Sequence, residues 1–358
     1  MTPLARTPSP VGPVTRGASV TEIARQLGVS RQLVSKVLNG GRSSAEASDR
    51  TRRRVLKAAQ RLGYRPNAAA RTIATGRFNA VGLLMSQHRC QSTVFGDMLR
   101  GMHDGLAGRG IHLTVNFVDD EGLTSDDELP KILGQAMVDG LLLNYTHGIP
   151  PRMAELIRRH RLPAVWVNSK QAANCVYPDD EGAGHAAARL LLEAGHRRVA
   201  FVDLTAGLEE AGETHYSHAD RRAGYERAMA EAGLESWSVV GGRSLLHEAL
   251  VAEARRVLAR PDRPTALVGY SHHDADAAMQ ACLELGLAVG RDVGLVIIEQ
   301  EQPLVGPPID TLVLPEFEIG RAAAAMLLAR LDDAADQPAR MIPMRRCAGA
   351  TLAPRPAR

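Results

Sequence analysis

Residues 20–40 read VTEIARQLGVSRQLVSKVLNG, and their spacing predicts two short helices joined by a tight turn. In the first, Ile23, Ala24 and Leu27 share one face, with Ser19 or Thr21 available as a cap. Gly28 ends it, since glycine accepts the left-handed backbone that closes a helix without steric cost. Ser30 then caps the second helix, RQLVSKVLN. At about 100° per residue, Leu33, Val34, Val37 and Leu38 fill one arc of it. Arg31, Gln32, Ser35 and Lys36 fill the other. Arginine and lysine suit guanine O6 and N7, and glutamine suits adenine N6 and N7, in a major groove. Helix, glycine turn, helix is the arrangement that presents such a face there, although a plain amphipathic surface helix has the same periodicity.

A third helix is expected from about Ser48 to Leu62, with Val55, Leu56, Ala59 and Leu62 on its core side. Arg52, Arg53 and Arg54 fall near its start, where the helix dipole disfavours cations. Either they reach phosphate or they form a solvated basic run. Residues 16–77 carry a net charge of +11, and residues 78–358 carry −9, although the whole chain of 358 residues sums to only +3. A basic head on an acidic body points to a polyanionic partner for the head.

The length suits two or three domains, and 45% hydrophobic residues provide for a sizeable core. Residues 1–17 are rich in Pro and Arg without an apolar run, which predicts a disordered tail rather than a signal peptide. No apolar stretch is long enough for a transmembrane helix, so no membrane partner is expected. Cys90, Cys175, Cys282 and Cys347 lie far apart, which favours reduced thiols and a cytoplasmic location.

Beyond the head, Pro66 disfavours helix at Arg65, and AAARTI (68–73) is helix-prone but too short to be stable alone. Residues 65–78 therefore read as a hinge. From residue 79 on, apolar runs alternate with helical patterns. AVGLLM (80–85), HLTVNFV (112–118), GLLLN (140–144), AVWVN (164–168), RVAFVDL (198–204), TALVGY (265–270), VGLVII (293–298) and DTLVLP (310–315) are the strand candidates. Segments such as FGDMLRGMHDGLAGRG, DELPKILGQAM and GAGHAAARLLLEAG lie between them and predict helices. Such alternation predicts parallel sheets covered on both faces, in two similar lobes. In open α/β sheets, ligands bind beyond the carboxyl ends of the strands.

The stretch VTEIARQLGVSRQLVSKVLNG, followed by RRVLKAAQRLGYRPNAAARTIATG and then NAVGLLM, closely resembles the LacI/GalR family of bacterial regulators. The resemblance runs from about Ser19 to Thr351. It implies an all-α helix-turn-helix domain (18–64), the hinge (65–78), and a periplasmic-binding-protein-like α/β domain for effector binding and dimerisation (79–356). Lobe 1 of that domain would hold about 79–168 and 314–336, and lobe 2 about 172–312 and 341–356. The implied DNA contacts are Ser30, Arg31, Gln32, Ser35 and Lys36 in the head and Asn67, Arg71 and Ile73 in the hinge. Ile73 stands where the family has an apolar wedge for the minor groove; the alternative is a residue packed against the body. The loop GGRSSAEA (40–47) is longer than is usual in the family, so no contact is carried over to it.

In the body, the resemblance places Arg221 at a position that contacts the effector, where a guanidinium can fork onto a carboxylate or vicinal hydroxyls. A structural salt bridge is the alternative. His272 stands where the family commonly has Asp, with Asp274 as a nearby substitute. Phe95 matches an aromatic at the mouth of the pocket, or packs in the core. Glu299 follows a buried strand where the family typically has Asp, with a structural role as the alternative, and Asn144 and Asn168 end strands that face the cleft. His215, His218, His272 and His273 could bind zinc only if the fold brought them together. No metal, cofactor or catalytic group is expected. GxSxG, HExxH, GxxxxGK and a GxGxxG after a strand are all missing. The expected protein is an allosteric regulator, most simply a repressor, that binds a near-palindromic operator in double-stranded DNA as a homodimer and senses a sugar or related metabolite. A cytoplasmic small-molecule-binding protein and a cleft enzyme are the alternatives.

Overall fold

A computed structural model describes residues 18–38, 48–66, 72–73, 75–87, 92, 94–118, 137–146, 148–207, 214–241, 246–300 and 308–352. They fall into two compact units, residues 1–78 and 79–358. In the first, α1 (Val20–Leu27), α2 (Arg31–Leu38) and α3 (Asp49–Arg61) enclose a small core. Ser19 and Glu22 form a reciprocal capping box at the start of α1, and Gly28 closes it at φ 65°. The Ser30 hydroxyl oxygen accepts the Leu33 N–H at 3.1 Å and so starts α2. Ile23, Ala24, Val34, Val37, Val55, Ala58 and Ala59 form the core. Leu56, expected on the core side of α3, is 47% exposed. The inward row from Val55 runs through Ala58, Ala59 and Leu62 at i+3, i+4 and i+7, one step off Leu56.

The second unit contains two six-stranded sheets. The first is built from β1 (Ala80–Ser86), β2 (His112–Val118), β3 (Gly140–Asn144), β4 (Ala164–Val167), β5 (Cys175–Pro178) and β11 (Arg340–Ile342). Its order is β11-β5-β4-β3-β1-β2, and every pair is parallel. The second is built from β6 (Val199–Asp203), β7 (Trp237–Val240), β8 (Ala266–Gly269), β9 (Gly294–Glu299), β10 (Asp310–Val313) and β12 (Arg345–Cys347). It runs β12-β10-β9-β8-β6-β7, and β12 alone is antiparallel. Central strands are buried on both faces, as parallel sheets require. Leu83, Leu142 and Val165 are wholly inaccessible. Each such side chain stabilises the fold by about 1.5–3 kcal/mol through removal from water.

Helices α4 (Gly96–Ala107), α5 (Pro151–Arg159) and α10 (Glu316–Asp332) pack on the first sheet. Helices α6 (Asp180–Glu193), α7 (Tyr216–Glu231), α8 (His247–Leu258) and α9 (His272–Glu284) cover the second. Two helix pairs approach unusually closely. A Cβ on Gly184 of α6 would collide with the Arg221 carbonyl, and one on Gly224 of α7 with the Glu181 carbonyl. Gly101 and Gly320 serve α4 and α10 in the same way. Of the helices expected in the body, DELPKILGQAM lies outside the described residues except for Met137.

The lobe boundaries differ from the sequence expectation. Residues 175–178 and 341–342, expected in lobe 2, belong to the first sheet: β5 extends the β4 edge, and β11 extends β5. The chain therefore crosses between lobes at 178–180, 313–316 and 342–345. Helix α10, which follows β10, packs closely on α4.

Candidate nucleic-acid face and ligand cleft

On α2, Val34 and Val37 are buried, whereas Arg31, Gln32 and Lys36 are exposed and Ser35 is half-buried. One side of the helix thus builds the head, and the other presents two cations, an amide and a hydroxyl. Ser30 spends an oxygen lone pair on the cap, which leaves its O–H to donate elsewhere. The arginines of α3 divide. Arg54 Nη2 donates to the Leu27 carbonyl at 3.3 Å, capping the C-terminal end of α1, and Arg53 Nε reaches the Asp49 carbonyl at 3.3 Å. Arg54 therefore has a structural partner, which neither the phosphate reading nor the solvated-run reading anticipates. Asn67 and Arg71 lie outside the described residues, as does the loop 40–47. Ile73 is 88% exposed.

In the body, Arg221 projects from α7 and is 5% exposed. Its Nε donates to Asp180 Oδ1 at 2.7 Å, and its Nη1 donates to the carbonyls of Tyr270 at 2.7 Å and Ile298 at 2.8 Å. The Gly184–Gly224 contact sets α6 close enough to α7 for Asp180 to reach it. Burial works against the guanidinium charge, but Asp180, Tyr270 and Glu299 outweigh it and hold the Arg221 pKa above its ordinary value. The expected open fork is therefore largely closed by the protein itself, and the described hydrogen bonds leave only Nη2 unused. The Tyr270 ring covers the guanidinium at 4.4 Å and stacks on His218 at 4.0 Å.

A hydrogen-bonded series runs from this cluster to the first sheet. Tyr270 Oη lies 2.8 Å from Ser217 Oγ, Ser217 Oγ lies 2.7 Å from His215 Nδ1, and His215 Nε2 lies 3.1 Å from the Asn168 carbonyl oxygen. The carbonyl can only accept, so Nε2 carries a proton. Asn168 ends β4 at φ 56°, a left-handed conformation that Asn tolerates better than most residues. Lys170 Nζ meets Asp220 at 2.7 Å beside it. Of the histidines considered as zinc ligands, His215 and His218 are thus engaged separately: His218 Nδ1 pairs with Asp203 Oδ2 at 2.7 Å. Among the described residues, no three His, Cys, Asp or Glu side chains are placed to hold a metal ion.

The other expected cleft residues are dispersed around these groups. His272 begins α9 half-buried, and both of its ring nitrogens are shielded from solvent without a hydrogen-bond partner. Asp274, weighed as its substitute, is committed to structure. Its carboxylate accepts from Leu204 N–H at 2.8 Å and from the Ser271 N–H and hydroxyl at 2.9 and 2.8 Å. Asn144 is wholly buried; its amide donates to the Val167 carbonyl at 3.3 Å, and its Oδ1 has no partner. Phe95 is half-buried at the N-terminal end of α4. Glu299 ends β9, accepts the Gln300 N–H at 3.1 Å, and is close enough to Arg221 and Glu316 to act on both electrostatically. A cavity of about 490 Å³ lies at the crossovers 313–316 and 342–345, between Asp97, Gln300, Glu316 and Arg345. Tyr270, Asp180 and Glu316 lie among these groups without having been singled out in the sequence, and His218 was considered there only as a zinc ligand.

A helix-turn-helix head with a cationic outer face and a two-lobed α/β body with a polar cleft define a class: ligand-responsive DNA-binding regulators. Residues 19–67 match the family profile of bacterial regulatory proteins, lacI family, and residues 188–352 match the periplasmic binding protein-like domain. The HTH-type transcriptional regulator AglR of Rhizobium meliloti (strain 1021) is 31% identical over 324 residues, 87% of this chain and 86% of that protein. Catabolite control protein A of Priestia megaterium is 27% identical over 317 residues, 86% of this chain and 91% of that one. The crystal structure of the Lac repressor dimer bound to operator and the anti-inducer ONPF shares the fold, with a TM-score of 0.76 over 94% of this chain and all of that chain, at 20% identity. The chain belongs to the LacI family of bacterial DNA-binding transcriptional regulators.

Proposed function

We propose that the protein is a homodimeric repressor that reads a near-palindromic operator with Arg31, Gln32 and Lys36 and changes its grip when a small molecule enters the cleft. The observation that carries the DNA reading is the division of α2, with Val34 and Val37 buried and Arg31, Gln32 and Lys36 exposed. Ser30 and Ser35 adjoin phosphate in this reading, and Asn67, Arg71 and Ile73 contribute from the hinge. A dimer is favoured by exposed apolar side chains in the body: Phe117 on the edge strand β2 is 61% exposed, Val115 49% and Leu283 on α9 79%. The Lac repressor structure is described as a dimer on operator, and AglR is described as an HTH-type transcriptional regulator.

The effector site in this reading comprises Arg221 through Nη2, with His272, Phe95, Asn144 and Glu299 around the cleft. His272 is its best-supported member. A neutral imidazole offers one donor and one acceptor, and here neither has a protein partner. Closure of the lobes on a ligand would move the crossovers and bias the hinge. The cleft acts as a sensor and not as an enzyme, because Arg221 and Asp180 are spent on each other. Cys175, Cys282 and Cys347 are free thiols, which fits a cytoplasmic protein. No helix among the described residues is long and apolar enough to cross a membrane.

Selection of bound duplexes from a random DNA pool tests the reading. Enrichment of a palindrome with a central pyrimidine–purine step is expected, that step being the one most easily opened by an apolar wedge at Ile73. Failure to enrich any sequence, with and without pooled metabolites, would overturn sequence-specific binding.

A further inference from the structure

The cavity at the crossovers contains a carboxylate that the fold does not compensate. Glu316 is 8% exposed, it lines the cavity, and its Oε1 is buried without a hydrogen-bond partner. It stands in the first turn of α10, at the crossover from β10 back to lobe 1. Its closest charged influences are two more acids, Glu299 from the end of β9 and Asp97 from α4. Burial first, then these two acids, push its carboxyl up to about 7. Arg221, the nearest buried cation on lobe 2, is already held by Asp180. Arg345 also lines the cavity, from an exposed position. A buried carboxylate left unpaired beside like charges is costly, and it persists where something outside the chain completes it.

We propose that this cavity binds a small organic cation, a molecule carrying a primary ammonium or guanidinium group, with the Glu316 carboxylate as its counter-ion. The inference rests on the reading of the cleft as an effector site and assigns a ligand class to the cavity at its crossovers, whose lining includes none of Arg221, His272, Phe95, Asn144 and Glu299. Three features converge on that class. The unpartnered oxygen calls for an N–H donor, the surrounding acids call for positive charge, and about 490 Å³ is room for a molecule of sugar or short-polyamine size. Among the described residues, no three carboxylate, imidazole or thiol groups are placed to hold a metal ion. Glu299 then has a definite part: it lies between Arg221 and Glu316 electrostatically and links the ligand's charge to the buried Arg221–Asp180 pair.

The test uses the full chain and its Glu316→Gln variant. Putrescine, agmatine and glucosamine are compared with 1,4-butanediol, glucose and N-acetylglucosamine by thermal shift and calorimetry. At least one cation binds the wild type at up to about 10 mM, its neutral counterpart does not, and Glu316→Gln weakens the cation about tenfold or more. Without any ligand, Glu316→Gln melts higher than the wild type, because the substitution removes a buried charge and keeps the shape. No binding by any of the three cations, or equal binding to both proteins, overturns the proposal. So does a lower melting temperature for the unliganded variant, which would show that the fold itself uses the carboxylate. Operator binding is read in parallel. A cation that binds through Glu316 without changing DNA affinity preserves the cavity assignment and defeats the regulatory reading. A DNA response to the neutral compounds alone does the reverse.

Discussion

His215 holds the main chain of Asn168: its Nε2 stands 3.1 Å from the Asn168 carbonyl oxygen, bridging the first turn of α7 and the end of β4. The contact joins the two lobes, and Ser217 and Tyr270 extend it to the ring that covers Arg221. A ligand that displaces Tyr270 would therefore be felt at Asn168. His215→Ala removes both of the imidazole's hydrogen bonds in this series, weakening the closed arrangement by about 1 kcal/mol. The lobes should open, and small-angle X-ray scattering of the unliganded protein should show a larger radius of gyration. An unchanged scattering curve would mean that His215 only decorates the interface. Lys170→Ala should open the lobes less, because its ammonium is half exposed and screened.

Arg221 and Asp180 form a buried pair, with side chains 6% and 0% exposed. Removing one partner leaves the other charged and desolvated, at a cost of roughly 3–5 kcal/mol. Arg221→Ala should therefore unfold at markedly lower denaturant, and Arg221→Met with Asp180→Leu should recover much of the loss. Equal stability of the single variant and the wild type would show that the pair contributes nothing to the fold. In that event, Arg221 would be an effector contact alone.

Sheet order and site differ in how far they can be read from residues. Val81, Leu142 and Val268 lie in apolar runs bounded by glycine or polar residues, so strands that are buried on both faces announce themselves. β5, β7, β11 and β12 span three or four residues each and, unlike β4, β8 and β10, lie outside any longer apolar run, so the sequence expectation places β5 and β11 outside the first sheet that they extend. The polarity of α2 was legible because one helix carries both faces. Glu316 was not. An acid in the first turn of a helix reads as a partner for the dipole, and only the fold reveals that it is buried beside Glu299 and Asp97. Tyr270 was read as a strand residue, and nothing in its neighbours signals that its ring covers Arg221.

Stability should fall as pH rises through neutrality. Burial pushes the Asp274 carboxyl up to about 7, Asp203 adds to the effect, and the donors Leu204 and Ser271 oppose it. Glu316 also lies at about 7, for reasons of burial and of Glu299 and Asp97. In the unfolded chain both groups titrate near 4. Folded values above unfolded ones mean that the native state binds more protons between about pH 4 and 7. The contribution is complete below that window and is lost as pH rises through it. Melting temperature should therefore decline from about pH 5 to pH 8, and the decline should be shallower in Asp274→Asn with Glu316→Gln. A wild-type slope equal to that of the double variant would place the titration elsewhere.

In the head, two arginines of similar sequence character are assigned different work. Arg54 caps α1 through the Leu27 carbonyl, whereas Arg31 lies exposed at the start of α2. Arg54→Ala should lower the stability of the head by about 0.5–1.5 kcal/mol, the value of one exchanged hydrogen bond. Operator preference should stay unchanged in that variant once the protein is folded. Arg31→Ala should leave the melting curve in place and cost about 1–3 kcal/mol of binding at one base position, with relaxed specificity there. Wild-type affinity should fall steeply with salt as phosphate contacts release counterions, and Arg31→Ala should keep most of that slope. If the loss from Arg31→Ala were equal on all sequences and came with a shallower salt dependence, Arg31 would be a phosphate contact. Base reading would then fall to Gln32 and Lys36.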